Sequence, residues 1–385
     1  MARPKIRLGL VVSIGLVFLA IFLVKAKNEM ADFEVNYKAG HRLAMGETLY
    51  RTSDSHWQFK YSPFSAFLYL PLSFLPLPVA KALWYILILA SMGCILVLTT
   101  GMASSLSSLS PFGPALLAVF VLAKYLLREL QLGQINALIT AILTVMIWLL
   151  VRDEPASSRR RAWLAGLLWG LATALKPYAV IFLPYFALKK KGRLLAAGFL
   201  TIAATLLVPA GFYGFRGCFN VIGEWGSTLA RSTPILYASQ DNISLIGFFI
   251  KWTNHVLLSY ILYAASVALL AVLTLLTIFR GKRLSKPILL EGALLLLLIP
   301  LVSPLGWDYT FLSSYAAVVL ILIGWRAFPK PARVLLAVNF AIIALSIYDL
   351  LGRQTYAVFM SWSVLTVNFL VVAVALIMLR WKRTA

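Results

Sequence analysis

The chain has 385 residues, 61% of them hydrophobic and 12% charged, with a formal net charge of +22. That balance excludes an ordinary soluble globular domain, in which about a quarter of residues are charged. The basic excess is not read as a nucleic-acid surface, because the Lys and Arg come in short clusters between long apolar stretches, the pattern of a multi-span membrane protein whose basic loops stay on the cytoplasmic side.

The N-terminus is composed like a signal peptide, with Arg3, Lys5 and Arg7 before an apolar run from Leu8 to Val24. Lys25-Ala26-Lys27 follows where a small-residue cleavage site would stand, so an uncleaved first helix over 7–24 is expected, with its N-terminus inside. Beyond it, Asp32–Tyr50 crowds acids, bases, a His and aromatics directly against a span, within a first outer loop over 25–62. Residues 63–78 are apolar but carry Pro63, Pro71, Pro76 and Pro78, and are expected as re-entrant or interfacial half-helices. A helix over 79–100 returns inside, one over 112–128 goes out, and one over 132–151 comes back to the basic RDEPASSRRR.

Residues 162–188 lie between two basic clusters, RRR and KKKGR, that both belong inside. Two legs of about 14 residues cannot each cross a ~30 Å hydrocarbon core at 1.5 Å per residue. A short helical hairpin is therefore expected, with Lys176-Pro177 at its apex. A helix over 194–213 leads to a second outer loop over 214–242, and 242–252 reads as an interfacial helix, the whole outer region being 214–255. Helices over 256–279, 287–302, 309–324, 334–350 and 357–379 complete roughly twelve segments, with both termini cytoplasmic. No repeat or linker divides the chain, so 1–385 is expected to be a single all-α polytopic membrane domain.

This topology gathers polar groups from distant segments at the outer face, as a site requires. Asp32 lies within two turns of the first helix, either as a partly desolvated base or as a solvated loop aspartate. Lys176 is a cation at an apex within the membrane region, suited to a phosphate unless its long stem carries the charge to the interface. Gln134 and Asn136 in QLGQIN suit sugar hydroxyls or helix capping. Asp308, between Trp307 and Tyr309, is a second acid, a sugar ligand, or part of an aromatic belt. Arg128 either shares phosphate charge or anchors the boundary. Cys94 and Cys218 stand far apart, and His41, His56 and His255 form no zinc site, so no metal is expected.

Several short motifs follow one another in a specific order. They are Asp32-Phe33 with Tyr37, Ala39, Gly46 and Leu49-Tyr50; Tyr61-Ser62-Pro63 with Pro71 and Pro76; Leu132-Gly133-Gln134-Ile135-Asn136; Gly166, Gly170 and Ala174-Leu175-Lys176-Pro177; Asn242-Ile243-Ser244-Leu245; and Ser303-Pro304 with Trp307. In this order the chain resembles glycosyltransferase family 87, bacterial polyprenol-phosphate-mannose-dependent mannosyltransferases with the GT-C fold. The resemblance implies transfer of a hexose, mannose in the family, from a polyprenyl-phosphate sugar to a lipid or glycan acceptor at the outer face of a bacterial plasma membrane. The lipid-linked sugar is then a substrate, and no cofactor is implied. The family's catalytic acid in the first outer loop maps onto Asp32. On this pattern Lys176 and Arg128 are expected at the donor phosphate, and Tyr37, Tyr50, Tyr61, Gln134, Asn136, Asn242, Trp307 and Asp308 at the sugar or acceptor. One departure stands out: Asp308 and Tyr309 occupy the place where a His or a His pair is expected after the Trp. The competing class is a transporter or flippase, but the breaks at 63–78 and 176–177 have no second copy in the C-terminal half.

Overall fold

The computed structural model describes residues 17–104, 110–153, 158–279 and 286–382. Arg3, Lys5 and Arg7, and with them most of the first expected helix, lie outside the described residues. Among the described residues the chain is all α, with no strand and one isolated bridge, between Asn242 and Trp307. A chain this apolar can satisfy its backbone away from water only within helices or a closed barrel.

Among the described residues, three helices are long and apolar enough to cross a membrane: Leu77–Ala103, Val256–Phe279 and Val364–Lys382. Counting each of two sharply bent pairs as one span gives up to five. Most other apolar segments are shorter than the expected set of twelve supposed. The helix expected over 112–128 is two, Phe112–Val121 and Ala123–Leu132, separated at Leu122. That expected over 309–324 begins as a 3-10 helix, Asp308–Ser314, and becomes α only from Tyr315. The proline-rich stretch resolves into Pro63–Ser73 and the start of Leu77–Ala103, with a proline in the first turn of each, where its missing N–H costs no helical bond.

Both segments expected as outer loops are largely helical. In Ala31–Ala44 the buried residues Phe33, Asn36, Ala39, Gly40 and Leu43 fall on one stripe, which packs on Pro63–Ser73. At Gly40 an added Cβ would stand 2.8 Å from the Tyr69 carbonyl carbon, so this contact is backbone to backbone. Within the expected loop 214–242, Ala210–Ser232 is an amphipathic helix with a kink at Gly214. Continued to Leu236, this segment turns 97° from Gly192–Leu207. Tyr348–Ser361 likewise turns 98° from Lys330–Leu345.

The expected hairpin is present: Arg159–Leu175 runs to Lys176, and Pro177–Ile181 and Phe182–Leu188 return. Lys176 is extended (φ −141°, ψ 121°), the conformation favoured before a proline. The outgoing leg crosses Gly192–Leu207 with almost no side chain between. A Cβ at Gly166 would lie 2.2 Å from the Leu194 carbonyl oxygen, and one at Gly170 2.5 Å from that of Gly198. At the centre stands Pro287–Val302, buried continuously from Ile288 to Leu301. An apolar helix buried on every side is a core post.

Candidate active site

One cavity of about 790 Å³ collects residues from five distant parts of the chain: Asp32, the 56–62 segment, Gln134, the hairpin apex at Lys176, and 303–310. That volume lies in the range of small-ligand sites. Trp225 and Leu229 of the Ala210–Ser232 helix form part of its outer wall, and Ile299 and Val302 close it at the end of the central helix.

Local structure explains why Asp32 and Gln134 meet. Met30, in the left-handed region, donates its N–H to the Gln131 carbonyl (2.8 Å), fixing the start of Ala31–Ala44 against the end of Ala123–Leu132. Gly133 ends that second helix with φ +67°. Its missing Cβ is a requirement, since one would stand 2.7 Å from Phe33 Cβ. Trp84 Nε1 holds the Gly133 carbonyl at 2.9 Å, and the next residue, Gln134, is thereby aimed at Asp32.

The orientation of the Gln134 amide follows from its partners. Its Oε1 accepts from Tyr61 OH (3.0 Å) and faces Asn136 Nδ2 (3.4 Å). Nε2 must then donate, and it does so to Asp32 Oδ2 (2.5 Å) and Tyr309 OH (3.1 Å). One carboxylate oxygen of Asp32 is thus held by a neutral amide and the other is left to the cavity. Burial pushes the Asp32 carboxyl above the usual range for its type, while the Gln134 hydrogen bond and the charge of Lys176 pull it partly back.

Lys176 is set by a second chain of contacts. Ser62 Oγ, at the N-cap of Pro63–Ser73, and Ser65 Oγ, in its first turn, donate to the carbonyls of Ala174 (2.5 Å) and Leu175 (2.9 Å) at the hairpin apex. The Lys176 ammonium donates to Asn136 Oδ1 (2.7 Å) and lies 4.8 Å from the Tyr61 ring centroid. Asn136 passes the polarity inward, its Nδ2 donating to Glu129 Oε2 (2.9 Å). Glu129, fully buried, also accepts from the Ala137 N–H (2.7 Å).

Of the residues singled out in the sequence, Asp32, Lys176, Tyr61, Gln134 and Trp307 line the cavity. The other six lie behind it. Arg128 is ion-paired with Asp241 (2.6 Å) and Asp308 (3.3 Å), so its charge is already met. Asp308 is buried at that contact. Asn136 bridges Lys176 and Glu129. Asn242 is fully buried and ties two segments together, donating to the Pro304 carbonyl (3.2 Å) and accepting from the Gly306 N–H (3.0 Å). Tyr37 OH donates to the Leu75 carbonyl and Tyr50 OH to that of Tyr61, both at 2.8 Å. Sequence reasoning gave no role to Glu129, Tyr309 or Lys60. Glu129 stands one turn before the helix-ending Gly133, and its carboxylate reaches across that break to Asn136 Nδ2 and the Ala137 N–H. A lone Lys between Phe59 and Tyr61 carries no signal. Among the described residues no group of three or more His, Cys, Asp or Glu is placed to hold a metal ion.

The family model for glycosyltransferase family 87 matches residues 59–304, well over half of the chain. The chain belongs to glycosyltransferase family 87. Two relatives of this family 87 chain come from Mycobacterium tuberculosis. One, from strain H37Rv, is a polyprenol-phosphate-mannose-dependent alpha-(1-2)-phosphatidylinositol mannoside mannosyltransferase, 28% identical over 286 residues, which are 70% of this chain and 63% of the relative. The other, from strain CDC 1551, is a polyprenol-phosphate-mannose-dependent alpha-(1-2)-phosphatidylinositol pentamannoside mannosyltransferase, 24% identical over 310 residues, 78% of this chain and 68% of the relative. The family 87 chain therefore spans a little under two thirds of the first relative's length. No solved structure matches it.

Proposed function

We propose that this family 87 chain transfers mannose from a polyprenyl-phosphate donor to a lipid or glycan acceptor. In this reading it is a single GT-C domain of the bacterial plasma membrane, both termini are cytoplasmic and the cavity opens on the outer side. What carries the reading is Asp32: one oxygen is anchored on Gln134, the other is open to a cavity that also holds the Lys176 ammonium. A base and a phosphate-neutralising cation on one cavity are the two groups an inverting transfer needs.

The step follows from that pairing. The acceptor hydroxyl gives its proton to Asp32 as its oxygen bonds to the anomeric carbon. The bond from that carbon to the phosphate oxygen breaks, its electron pair leaves on the phosphate, and the configuration inverts. Lys176 faces the charge that grows on the departing phosphate, an interaction strongest where water is scarce. Arg128 acts from behind, through Asp241 and Asp308. Trp307 and Tyr61 offer ring faces to the sugar. A lysine in this role makes a metal unnecessary, and transfer measured in chelator is expected to match that without it.

The test is a transfer assay in nanodiscs with polyprenyl-phosphate mannose and a membrane-lipid extract, run on wild type and Asp32→Asn. Labelled product from wild type alone supports both donor and base. Equal product from the two moves the base elsewhere, and none from wild type overturns the donor.

A further inference from the structure

The cavity is lined by two lysines whose circumstances differ. Lys176 donates to Asn136 Oδ1 and lies against the rings of Tyr61 and Tyr178. The ammonium of Lys60 makes no hydrogen bond and no ion pair with any described residue, although the side chain is half-buried. Its backbone, by contrast, is firmly placed. The Lys60 carbonyl accepts from Trp225 Nε1 (3.2 Å), on the helix that walls the cavity. On either side, buried Phe59 packs on Tyr50 at 5.5 Å and on Tyr61 at 5.9 Å. An anchored backbone thus presents a half-buried cation, unpaired by any described residue, to the cavity. Such a group carries a desolvation cost that an anionic ligand would offset. Burial lowers the affinity of Lys60 for its proton, and the charge of Asp32 raises it again. The two therefore share one electrostatic environment. Asp32 cannot be the fixed partner of Lys60, because no ion pair joins them and Asp32 is anchored on Gln134.

We propose that Lys60 is a second phosphate-binding residue of this cavity, gripping a lipid-linked phosphate from the segment that Ser62 ties to the hairpin apex. The inference rests on the transferase reading only for the lipid-linked character of the phosphate. Two lipids could bring it: the polyprenyl phosphate of the donor, or a phosphodiester headgroup of the acceptor.

Binding separates the sources without requiring turnover. The full chain, in nanodiscs of neutral phosphatidylcholine, would be titrated with undecaprenyl phosphate and, separately, with phosphatidylinositol. Wild type would be compared with Lys60→Met, which keeps most of the aliphatic stem, with Lys60→Gln, and with Lys60→Arg, which keeps the charge. The expected result is a tenfold or greater loss of affinity for one probe in both neutral variants, largely restored by Lys60→Arg. Loss for undecaprenyl phosphate assigns Lys60 to the donor, and loss for phosphatidylinositol assigns it to the acceptor. Wild type that binds phosphatidylinositol through Lys60 but not undecaprenyl phosphate would sink the donor reading and leave this inference standing. Binding of both probes by the neutral variants within twofold of wild type would overturn it, as would failure of wild type to bind either.

Discussion

Glu291, near the start of the central helix, and Asp32, at the cavity beyond its far end, are both acids set among apolar helices. Their surroundings differ in kind. Both oxygens of Glu291 are occupied: Oε1 by Arg380 (2.9 Å), and Oε2 by Tyr185 OH (2.9 Å) and Lys189 (3.3 Å). Glu291 and Arg380 are almost wholly enclosed, with side chains 1% and 3% exposed. Asp32 has one oxygen on a neutral amide, no cation in contact, and an open side. From Glu291 to Val302 the helix rises about 16 Å, so one post separates the two environments. An acid with both oxygens met by cations and donors joins segments together. An acid held on one side only retains a lone pair for a substrate.

The contrast can be broken from either end. The largest effect is expected at Asp32, where replacement by Asn should lower the transfer rate by about 10²–10⁴-fold, the usual worth of a general base. Its unfolding temperature should stay close to wild type, which thermal scanning in detergent would check. Glu291→Gln should do the reverse. It leaves Arg380 and Lys189 without a counter-charge, and breaking a buried pair in this way costs about 3–5 kcal/mol. A marked fall in unfolding temperature, with the rate per folded molecule kept, is the expected result. A rate loss without a stability loss would give Glu291 a part in the chemistry.

Two smaller effects sharpen the picture of Asp32. Gln134→Ala removes its anchor, and a hydrogen bond to a charged group is worth about 1.5–3 kcal/mol. Steady-state kinetics should therefore show kcat lower by roughly ten- to a hundredfold, with KM for the donor little changed. The pH profile gives the finest test. Burial raises the Asp32 carboxyl, and only its ionised form can accept a proton. Activity should therefore fall with decreasing pH at a point above the ordinary ~3.9 of an aspartate. Because the Gln134 hydrogen bond favours the ionised form, Gln134→Ala should move that acid limb to still higher pH. A limb that stays in place would mean that another group controls it.

The hairpin was legible because two basic clusters bracket too few residues to cross and return, which leads one to expect the turn-back found at Lys176-Pro177. The gathering of Asp32, Gln134, Lys176 and Trp307 in one cavity was legible for a similar reason: each lies beside an apolar segment, and the expected topology brought them to one face. What escaped depends on directions that topology does not give. Ala31–Ala44 reads as loop by charge content, and its helical character lies in the spacing of Phe33, Asn36, Ala39 and Leu43. The turn of 97° near Pro209 converts an expected loop into the cavity's outer wall. Arg128 looked like a free cation because its partners, Asp241 and Asp308, come from segments more than a hundred residues away.

The crossing at Gly166 and Gly170 has a consequence for the lipid itself. Helices separated by side chains can slide, because rotamers adjust between them. Helices in backbone contact cannot, and the Arg159–Leu175 leg is pressed against the carbonyls of Leu194 and Gly198. The height of Lys176 above the Arg159 end of the hairpin is therefore constant, like a mark on a gauge. A phosphate carried one helical turn too deep or too shallow, about 5 Å, would miss the mark. In the proposed reading, selection among lipid-linked sugars would then begin as a measurement of how far the tail lets the headgroup rise, before any sugar hydroxyl is read.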